Sequence, residues 1–473
     1  MRRPFSGPVR GAGALCYLRV TMPAFDDTAA HIASVAPGAH VVRDGEHAQR
    51  TVRAIRGALA KVPFYAKQGL AAPNENGSIE AALAALPLLT AAKIRPTLPK
   101  AWLPEGRDAK AELASGKLAV VETGLAEARV RLLWDGAWWR AQETRALGVS
   151  AKAANVMSGV AGGRAFRDAV LWVPERGTGS CGSGDPEYED RLEGDRLHLN
   201  SRQDPTFWSE SVMTRMLDEL AQHDTMGLLA DPFYLDVLVR HAALLGRRLD
   251  VKGFVGLTRG LTTAGHREAL ARVYTPSNVV QIYGAREAGV LFVQGEDGLL
   301  HHAPFTTHVE LLRAKVATPG AKDVALVVVT TLDREVQPLV RYVLGDLVQV
   351  AEGASRFTTV APLVSVEGKL DDAIVRPDGA LVTPGAIDRA LAAAPGANPR
   401  AYQVVQREAG SVDVEVVGGS PDAVRAALAP LLEGMKITAR SETAIAVEPN
   451  GKYRISRRVA PLTSYDLFEG AQS

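Results

Sequence analysis

The sequence predicts an α/β protein with a large amino-terminal domain that contains mixed sheets and a small α+β carboxyl-terminal domain. The chain has 473 residues, more than one ordinary hydrophobic core accommodates. Residues 227–257 alternate apolar runs with a helical pattern, and residues 324–332 form an apolar run bounded by polar turns, as in buried strands. Beyond Pro362, short strands alternate with two helices over about a hundred residues, which is typical of a compact domain.

This change of pattern indicates the domain organisation. We expect a flexible extension at residues 1–21, a large multi-subdomain amino-terminal domain at 22–365, a connecting segment at 366–372 and a small domain at 373–473. The opening residues are basic, but their short apolar segment is broken by Arg19, which makes a poor signal peptide. No apolar run approaches the ~18 residues that span a bilayer, so we expect no membrane partner.

Charge and cysteine content narrow the kinds of partner. The 54 basic residues almost balance the 53 acidic residues, so neither nucleic acid nor an anionic membrane surface is predicted as a partner. Only two cysteines occur, without metal-ligand spacing, which favours a reducing, cytoplasmic location over a disulfide framework. A small-molecule partner is therefore expected. The oligomeric state is left open, a homodimer included.

The most informative segment is NVVQIYGAREAG at residues 278–289. A β-branched run ends in Tyr283 and Gly284, and Glu287 follows three residues after Gly284. We expect a buried strand that delivers this carboxylate to its carboxyl end, where open α/β sheets hold ligands. Three further segments stand out downstream: RYVLGDLVQV (341–350), EGKLDDAIVRPDGALVTPGAIDRAL (367–391) and EPNGKYR (448–454).

In this order and at these separations, the four segments resemble the adenylate-forming superfamily of acyl-CoA synthetases and peptide-synthetase adenylation domains. The likeness is greatest to the phenylacetate-CoA ligase branch, and it extends through KVPFYAKQGL (61–70) and LPLLTAAKIRPTLP (86–99). The resemblance implies ATP-dependent activation of a small-molecule carboxylic acid to an acyl-adenylate. The acyl group then passes to the thiol of CoA or of a carrier-protein phosphopantetheine, or to an amine. Mg²⁺ is the implied metal.

The resemblance assigns nucleotide contacts. Asp346 would accept hydrogen bonds from both ribose hydroxyls, which requires an acceptor with two oxygens. Tyr283, Gly284 and Arg341 would belong to the same nucleotide site. Glu287 would hold Mg²⁺, because a hard cation with few protein ligands prefers a carboxylate oxygen. A turn-capping aspartate is the ordinary alternative at position 346.

The resemblance also implies a moving catalytic group. Lys452 would reach the site from the small domain and offset the charge of the reacting carboxylate and α-phosphate. Asp371 would be the hinge about which the small domain swings as a lid, and Lys369 stands where relatives have arginine. Without the resemblance, Lys452 would be an exposed turn lysine and Asp371 a polar linker residue.

The sequence departs from the superfamily where relatives bind the β- and γ-phosphates. Their Ser/Thr/Gly-rich loop holds the anion with several backbone N–H groups, and only Thr123 and Gly124 remain of it here. Arg286 replaces the usual threonine before Glu287. Its guanidinium either binds phosphate and supports catalysis, or forms an ion pair that disables Glu287. The alternative function is therefore a catalytically weakened homologue that binds a ligand or a partner.

The acyl pocket of relatives is lined by segments before Tyr283, which points to Phe233, Tyr234, Gly256 and Thr258 here. Arg259 stands where relatives carry a Gly-Glu pair beside the adenine. It is either a surface cation or a contact to nucleotide or acyl carboxylate. The sequence identifies neither the acid nor the choice between thiol and amine.

Overall fold

The computed structural model describes residues 44–75, 77–123, 130–135, 138–139, 146–153, 167–174, 186–201, 204–352, 362–397, 399–448, 451–460, 462 and 465–470. The extension predicted at 1–21 lies outside them. The helices of the described part are α1 (Asp44–Lys61), α2 (Pro63–Ala66), α3 (Ile79–Ala84), α4 (Ala91–Ile94), α5 (Ala109–Ala114), α6 (Glu210–Gln222), α7 (Pro232–Leu244), α8 (Ala264–Val273), α9 (Pro384–Ala393) and α10 (Pro421–Leu428).

The strands of the same part are β1 (Leu118–Thr123), β2 (Val130–Asp135), β3 (Asp168–Leu171), β4 (Leu192–Glu193), β5 (Arg196–His198), β6 (Gly227–Ala230), β7 (Phe254–Leu257), β8 (Val279–Ala285), β9 (Gly289–Gln294), β10 (Leu300–His302), β11 (Thr307–Arg313), β12 (Val324–Thr331), β13 (Tyr342–Val350), β14 (Leu363–Lys369), β15 (Ile374–Val375), β16 (Leu381–Val382), β17 (Ala401–Glu408), β18 (Ser411–Val417), β19 (Lys436–Ser441) and β20 (Ser456–Arg458).

A twelve-stranded mixed sheet organises the large domain, in the order β11-β12-β13-β14-β10-β9-β8-β7-β6-β3-β5-β4. Strands β5, β3, β6, β7 and β8 are parallel, whereas β8 to β14 pair antiparallel with their neighbours. The parallel strands end at one edge, where the chain continues into Trp172, Asp231, Thr258 and Arg286. The prediction of an α/β fold with mixed sheets is confirmed, and this edge is where such sheets hold ligands.

Side-chain caps determine where the helices beside this edge begin. Asp231 accepts a hydrogen bond from the Phe233 N–H at 3.0 Å, and Pro232 occupies the first position of α7, where its missing N–H costs nothing. Thr263 and His266 form a reciprocal capping pair at the start of α8. No helix in the described residues is both long and apolar enough to cross a membrane.

Apolar side chains cover both faces of the parallel strands. Helices α6, α7 and α8 pack on one face, which receives Val255 and Leu257 of β7. Because side chains alternate along a strand, Phe254 and Gly256 point to the opposite face. A Cβ at Gly256 would lie 2.7 Å from a Leu229 methyl group, so the neighbouring side chains fill that position.

The small domain contains a four-stranded sheet, in the order β19-β18-β17-β20, packed against α9 and α10. Both helices begin at prolines, Pro384 and Pro421. The apolar run at residues 445–447 does not form a strand. The edge strand of this sheet is β19. Its residues are mostly polar and partly exposed, so they lack the apolar alternation that predicts a strand. The domain boundary at 366–372 stays a prediction.

The small domain lies between two connections to the large sheet. The first is the 3₁₀ helix Leu370–Asp372. The second is the last described segment, where the Glu469 N–H donates to the Arg313 carbonyl at 2.8 Å. Phe468 of this segment is fully buried and forms a bridge to Ala314 beside β11.

Three buried histidines lie close together: His47 on α1, His302 on β10 and His308 on β11. The His47 and His308 rings place Nε2 and Nδ1 3.3 Å apart, and the His302 ring lies edge-on to His47. Burial, and then the neighbouring His47, lower the pKa of His308 to about 3. The folded protein therefore requires His308 to be neutral.

We expect His308 to make stability depend on pH. Its pKa is about 3 in the folded protein and 6.5 ordinarily, so the unfolded chain binds more protons between these values. The His308 contribution is complete above about pH 6.5 and is lost as the pH falls toward 3. The slope of the unfolding free energy against pH, from urea melts between pH 4 and 7, should be smaller in His308→Asn than in the wild type. Equal slopes would contradict this, and the control is His301→Asn, because His301 is only partly buried.

Candidate active site

A tight hairpin between β8 and β9 presents the first group of functional side chains. Gly284 pairs with Val290 there, and a Cβ at Gly284 would lie only 2.6 Å from the Gly289 carbonyl oxygen. Only glycine permits this close approach of two backbones. The hairpin turn carries Arg286 and Glu287, as predicted for a carboxylate at the carboxyl end of this strand.

Asp346 joins three strands of the main sheet through its carboxylate. The Tyr283 hydroxyl donates to Asp346 Oδ2 at 3.0 Å, and the Lys369 ammonium lies 2.8 Å from Oδ1. Burial, and then the Asp346 charge, raise the pKa of Tyr283, so this phenol remains a donor. Burial lowers the pKa of Lys369. The negative charges of Asp346 and Glu287 outweigh the effect of burial, so the pKa of Lys369 is raised above its ordinary value. Both groups thus hold the Asp346 carboxylate in place.

Glu287 is fixed by side chains and by its own backbone. The Thr123 hydroxyl donates to Glu287 Oε1 at 3.1 Å, which brings the end of β1 to the hairpin turn. The buried Arg334 donates to the Glu287 carbonyl at 2.6 Å. In addition, the Trp134 indole donates to the Arg286 carbonyl at 3.2 Å. Of the predicted phosphate-loop residues, Thr123 is thus beside Glu287, and Gly124 lies outside the described residues.

Lys452 reaches this group from the small domain. Its pKa is lowered by burial first and then by the charges of Lys369 and Arg286, whereas Glu287 and Asp346 act in the opposite direction. These five side chains therefore lie within electrostatic reach of one another, although their segments are far apart in sequence. Of the residues predicted for the site, the structure therefore brings Arg286, Glu287, Asp346 and Lys452 into one region.

Asp231, which the sequence reasoning missed, is a buried acid on the same edge of the sheet. Its carboxylate is close to Lys452 and Arg259, and burial raises its pKa to about 6 against their influence. Arg259 has a left-handed backbone (φ 69°), and its guanidinium stacks on the Trp172 ring at 3.6 Å. An acid between a strand end and a helix-starting proline was the available sequence signal.

Arg341 and Asp371, two other predicted site residues, have hydrogen-bond partners outside this group of side chains. Arg341 is buried, and its guanidinium binds both carboxylate oxygens of Glu310, at 2.9 and 3.0 Å, and the Leu86 carbonyl. The structure does not bring the Arg341 guanidinium to Asp346, because this guanidinium is paired with Glu310 on β11. Asp371 lies in the 3₁₀ helix before the small domain, where its carbonyl accepts from Arg454 at 3.4 Å.

The predicted pocket residues divide into two groups. Gly256 and Thr258 lie on β7 and just after it, and the Thr258 N–H donates to the Ala230 carbonyl at 2.9 Å. Phe233 and Tyr234 instead contact the loop that carries Lys452. The first turn of α7 thus contacts the small domain, and the pocket role of these residues stays a prediction.

The donor set suits a magnesium ion that is held mainly by a nucleotide. Glu287 supplies a carboxylate and Thr123 a hydroxyl, and no group of three or more potential metal-ligating side chains occurs in the described residues. Mg²⁺ commonly takes one or two carboxylates and completes its shell with water and substrate phosphates. Glu287 therefore fits the metal role.

Comparisons with known proteins identify the fold of the chain. The chain shares its fold with 2-hydroxyisobutyryl-CoA ligase. No protein-family profile and no curated protein matches the sequence.

Among solved structures, 2-hydroxyisobutyryl-CoA ligase in the postadenylation state with 2-HIB-AMP matches with a TM-score of 0.61 and 16% identity, over 88% of this chain and 89% of that one. The same ligase with R3-HIB-AMP gives a TM-score of 0.59 at 17% identity, over 90% of each chain. Its open conformation with 2-HIB-AMP and CoA gives 0.51 at 15% identity, over 88% and 91%. The phenylacetate-CoA ligase branch is not supported by these matches.

We expect Gly284→Ala to destabilise the protein by about 1–3 kcal/mol, because the new methyl group would meet backbone atoms that cannot rotate away. Thermal unfolding measures the change. The control is Gly57→Ala within α1, where nothing lies within 4 Å of the added carbon and helix propensity predicts a gain of about 1 kcal/mol. A Gly284→Ala protein at least as stable as the wild type would refute the close approach.

Proposed function

We propose that this chain uses ATP to convert a carboxylic acid into an acyl-adenylate and then transfers the acyl group to an acceptor. The observation that carries the proposal is the meeting of Tyr283, Glu287, Asp346, Lys369 and Lys452, which come from four segments, at the edge where the parallel strands end. The shared fold with a ligase bound to an acyl-adenylate supports it.

Asp346 is the proposed ribose contact. An ionised carboxylate offers about four acceptor positions. Tyr283 and Lys369 use one position on each oxygen, so both oxygens can still accept from the two ribose hydroxyls. Because these two donors also orient the carboxylate, the sugar would meet a prearranged acceptor.

The phosphates would lie among Arg286, Lys369 and Lys452, and burial followed by the positive charges of Lys369 and Arg286 lowers the pKa of Lys452. Dense anions are stabilised by such a group of cations. Glu287 and Thr123 would hold Mg²⁺ beside the phosphates. This supports the catalytic alternative for Arg286, in which its guanidinium substitutes for the reduced phosphate loop.

In the proposed first step, a carboxylate oxygen of the acid attacks the α-phosphorus, and the bond to pyrophosphate breaks with its electron pair on the leaving group. The Lys452 ammonium would stabilise negative charge on the acid and α-phosphate as they approach. In the second step a thiol or amine attacks the acyl carbon and AMP leaves. Orientation by the Asp346 contact would supply proximity.

The substrate class is proposed from the relatives in structure. The matched ligase carries a 2-hydroxyisobutyryl adenylate and CoA in its structures. We therefore propose short 2-hydroxy acids as the first acids to test and CoA as the first acceptor. An amine or a carrier-protein thiol would be tested next with the same acid.

We expect Lys452→Ala to reduce ATP–pyrophosphate exchange about 100-fold or more in kcat, with a smaller effect on the KM for ATP, because the ammonium acts on charge that develops during the reaction. Exchange of radiolabelled pyrophosphate into ATP measures this with a panel of 2-hydroxy and aromatic acids.

The lowered Lys452 pKa also predicts that the wild-type rate falls at an alkaline pH below 10.5.

Lys436→Ala, an exposed lysine on β19 of the same domain, is the matched control and should exchange like the wild type. ATP binding by calorimetry without exchange for any acid in the panel would favour the alternative, a homologue that binds nucleotide without catalysis. Equal exchange by Lys452→Ala and the wild type would refute the catalytic role of Lys452.

A further inference from the structure

The loop that carries Lys452 rests on the first turn of α7. We propose that this turn is a docking platform that positions Lys452 for the reaction, with Tyr234 and Phe233 as positioning residues. The proposal rests on the proposed role of Lys452 as the catalytic cation. Phe233 and Tyr234, which the sequence predicts as pocket lining, would hold the small domain in one arrangement.

The first contact is a hydrogen bond across the domains. The Tyr234 hydroxyl donates to the Gly451 carbonyl at 2.9 Å, in the residue directly before Lys452. Tyr234 is fully buried, and a Cβ at Gly451 would lie 2.8 Å from its hydroxyl oxygen. Gly451 also has a left-handed backbone (φ 78°), so this position strongly favours glycine.

The second contact follows directly after Lys452. The Tyr453 ring stacks on the Phe233 ring with centroids 4.3 Å apart and planes at 11°. Tyr453 is fixed to the small domain, because its hydroxyl accepts from the Tyr402 N–H at 3.0 Å and donates to the Tyr402 carbonyl. The residues on both sides of Lys452 therefore contact consecutive residues of α7.

The third feature is the charge beneath the loop. Asp231 caps α7 and has only 5% of its surface exposed, and Gly260 packs against its carboxylate. Although burial raises its pKa, Lys452 and Arg259 favour the charged form. The platform thus offers a negative charge to Lys452 while two aromatic residues hold its neighbours.

Docking has a defined energetic consequence. Separation of the two domains would leave the Tyr234 hydroxyl and the Gly451 carbonyl to find new partners and would expose the face of Phe233. The contacts therefore favour the arrangement in which Lys452 lies within electrostatic reach of Glu287 and Asp346. Weakening the contacts should displace Lys452 without altering Asp346 or Tyr283.

The test is chemical labelling of Lys452 in the unliganded, full-length protein. Acetic anhydride at a fixed pH modifies exposed neutral amines, and peptide mass spectrometry gives the rate at Lys452. We expect Tyr234→Phe to increase this rate about fivefold, the equivalent of one ordinary intramolecular hydrogen bond. Phe233→Leu and Tyr453→Leu should each increase it, and the double variant should increase it by less than the product of the two factors.

Tyr274→Phe is the matched control, since the Tyr274 hydroxyl donates to the Gly253 carbonyl at 3.0 Å in the same core and away from the Lys452 loop. Its Lys452 labelling rate should equal that of the wild type. Equal labelling rates in Tyr234→Phe and Tyr274→Phe would overturn the platform whether or not the protein adenylates anything.

A kinetic readout separates positioning from general loss of structure. In ATP–pyrophosphate exchange with the best acid of the panel, Tyr234→Phe should lower kcat while leaving the KM for ATP within about twofold, because the Asp346 contact is intact. If the wild type exchanges with no acid, the labelling result still decides the platform, and only the proposed function fails. A reduced affinity for ATP with an unchanged kcat would contradict a positioning role.

Discussion

The hydrogen-bonded Asp346 carboxylate is the interaction on which the rest of the site depends. It joins β8 through Tyr283, β13 through its own backbone and β14 through Lys369, so it fixes β8 relative to two strands that are distant from it in sequence. A buried carboxylate is stable only when charged or polar groups satisfy it. Because its two protein donors leave acceptor positions on both oxygens, the same arrangement that stabilises the sheet also creates a binding group.

The second constraint is that the cation comes from another domain. In the proposed reaction Lys452 acts only when the small domain lies against the large sheet, and the first turn of α7 contacts the loop that carries Lys452. A second contact joins the two domains, because Asp388 on α9 accepts from the Ala264 N–H at the start of α8 at 3.0 Å. The small domain is thus held at the Lys452 loop and at a helix terminus, and the proposed reaction depends on its orientation.

The sequence allowed much of the site to be predicted, because its central residues occur in short segments whose order is distinctive. The strand before Tyr283 and the position of Glu287 in a turn follow from local patterns, whereas the approach of Lys452 was implied only by the resemblance. The role of Arg341 could not be found in this way. Its partner Glu310 lies on another strand, within an apolar run in which nothing marks an inward-facing acid.

Side-chain direction explains the other differences. Phe233 and Tyr234 occupy the expected first turn of α7, but spacing along a helix does not say which domain that turn faces. Asp231 was missed because an acid before a helix-starting proline is ordinarily only a cap. Its contact with the Lys452 region depends on the position of a second domain, which a linear pattern does not contain.

A crystal structure of the protein grown with AMP would test the central claim most directly, because that claim is that the separate segments form one nucleotide site. The account predicts both ribose hydroxyls within hydrogen-bond distance of the Asp346 carboxylate and the phosphate on the side of Lys452 and Glu287. AMP bound elsewhere on the molecule, with Asp346 contacting only Tyr283 and Lys369, would contradict it.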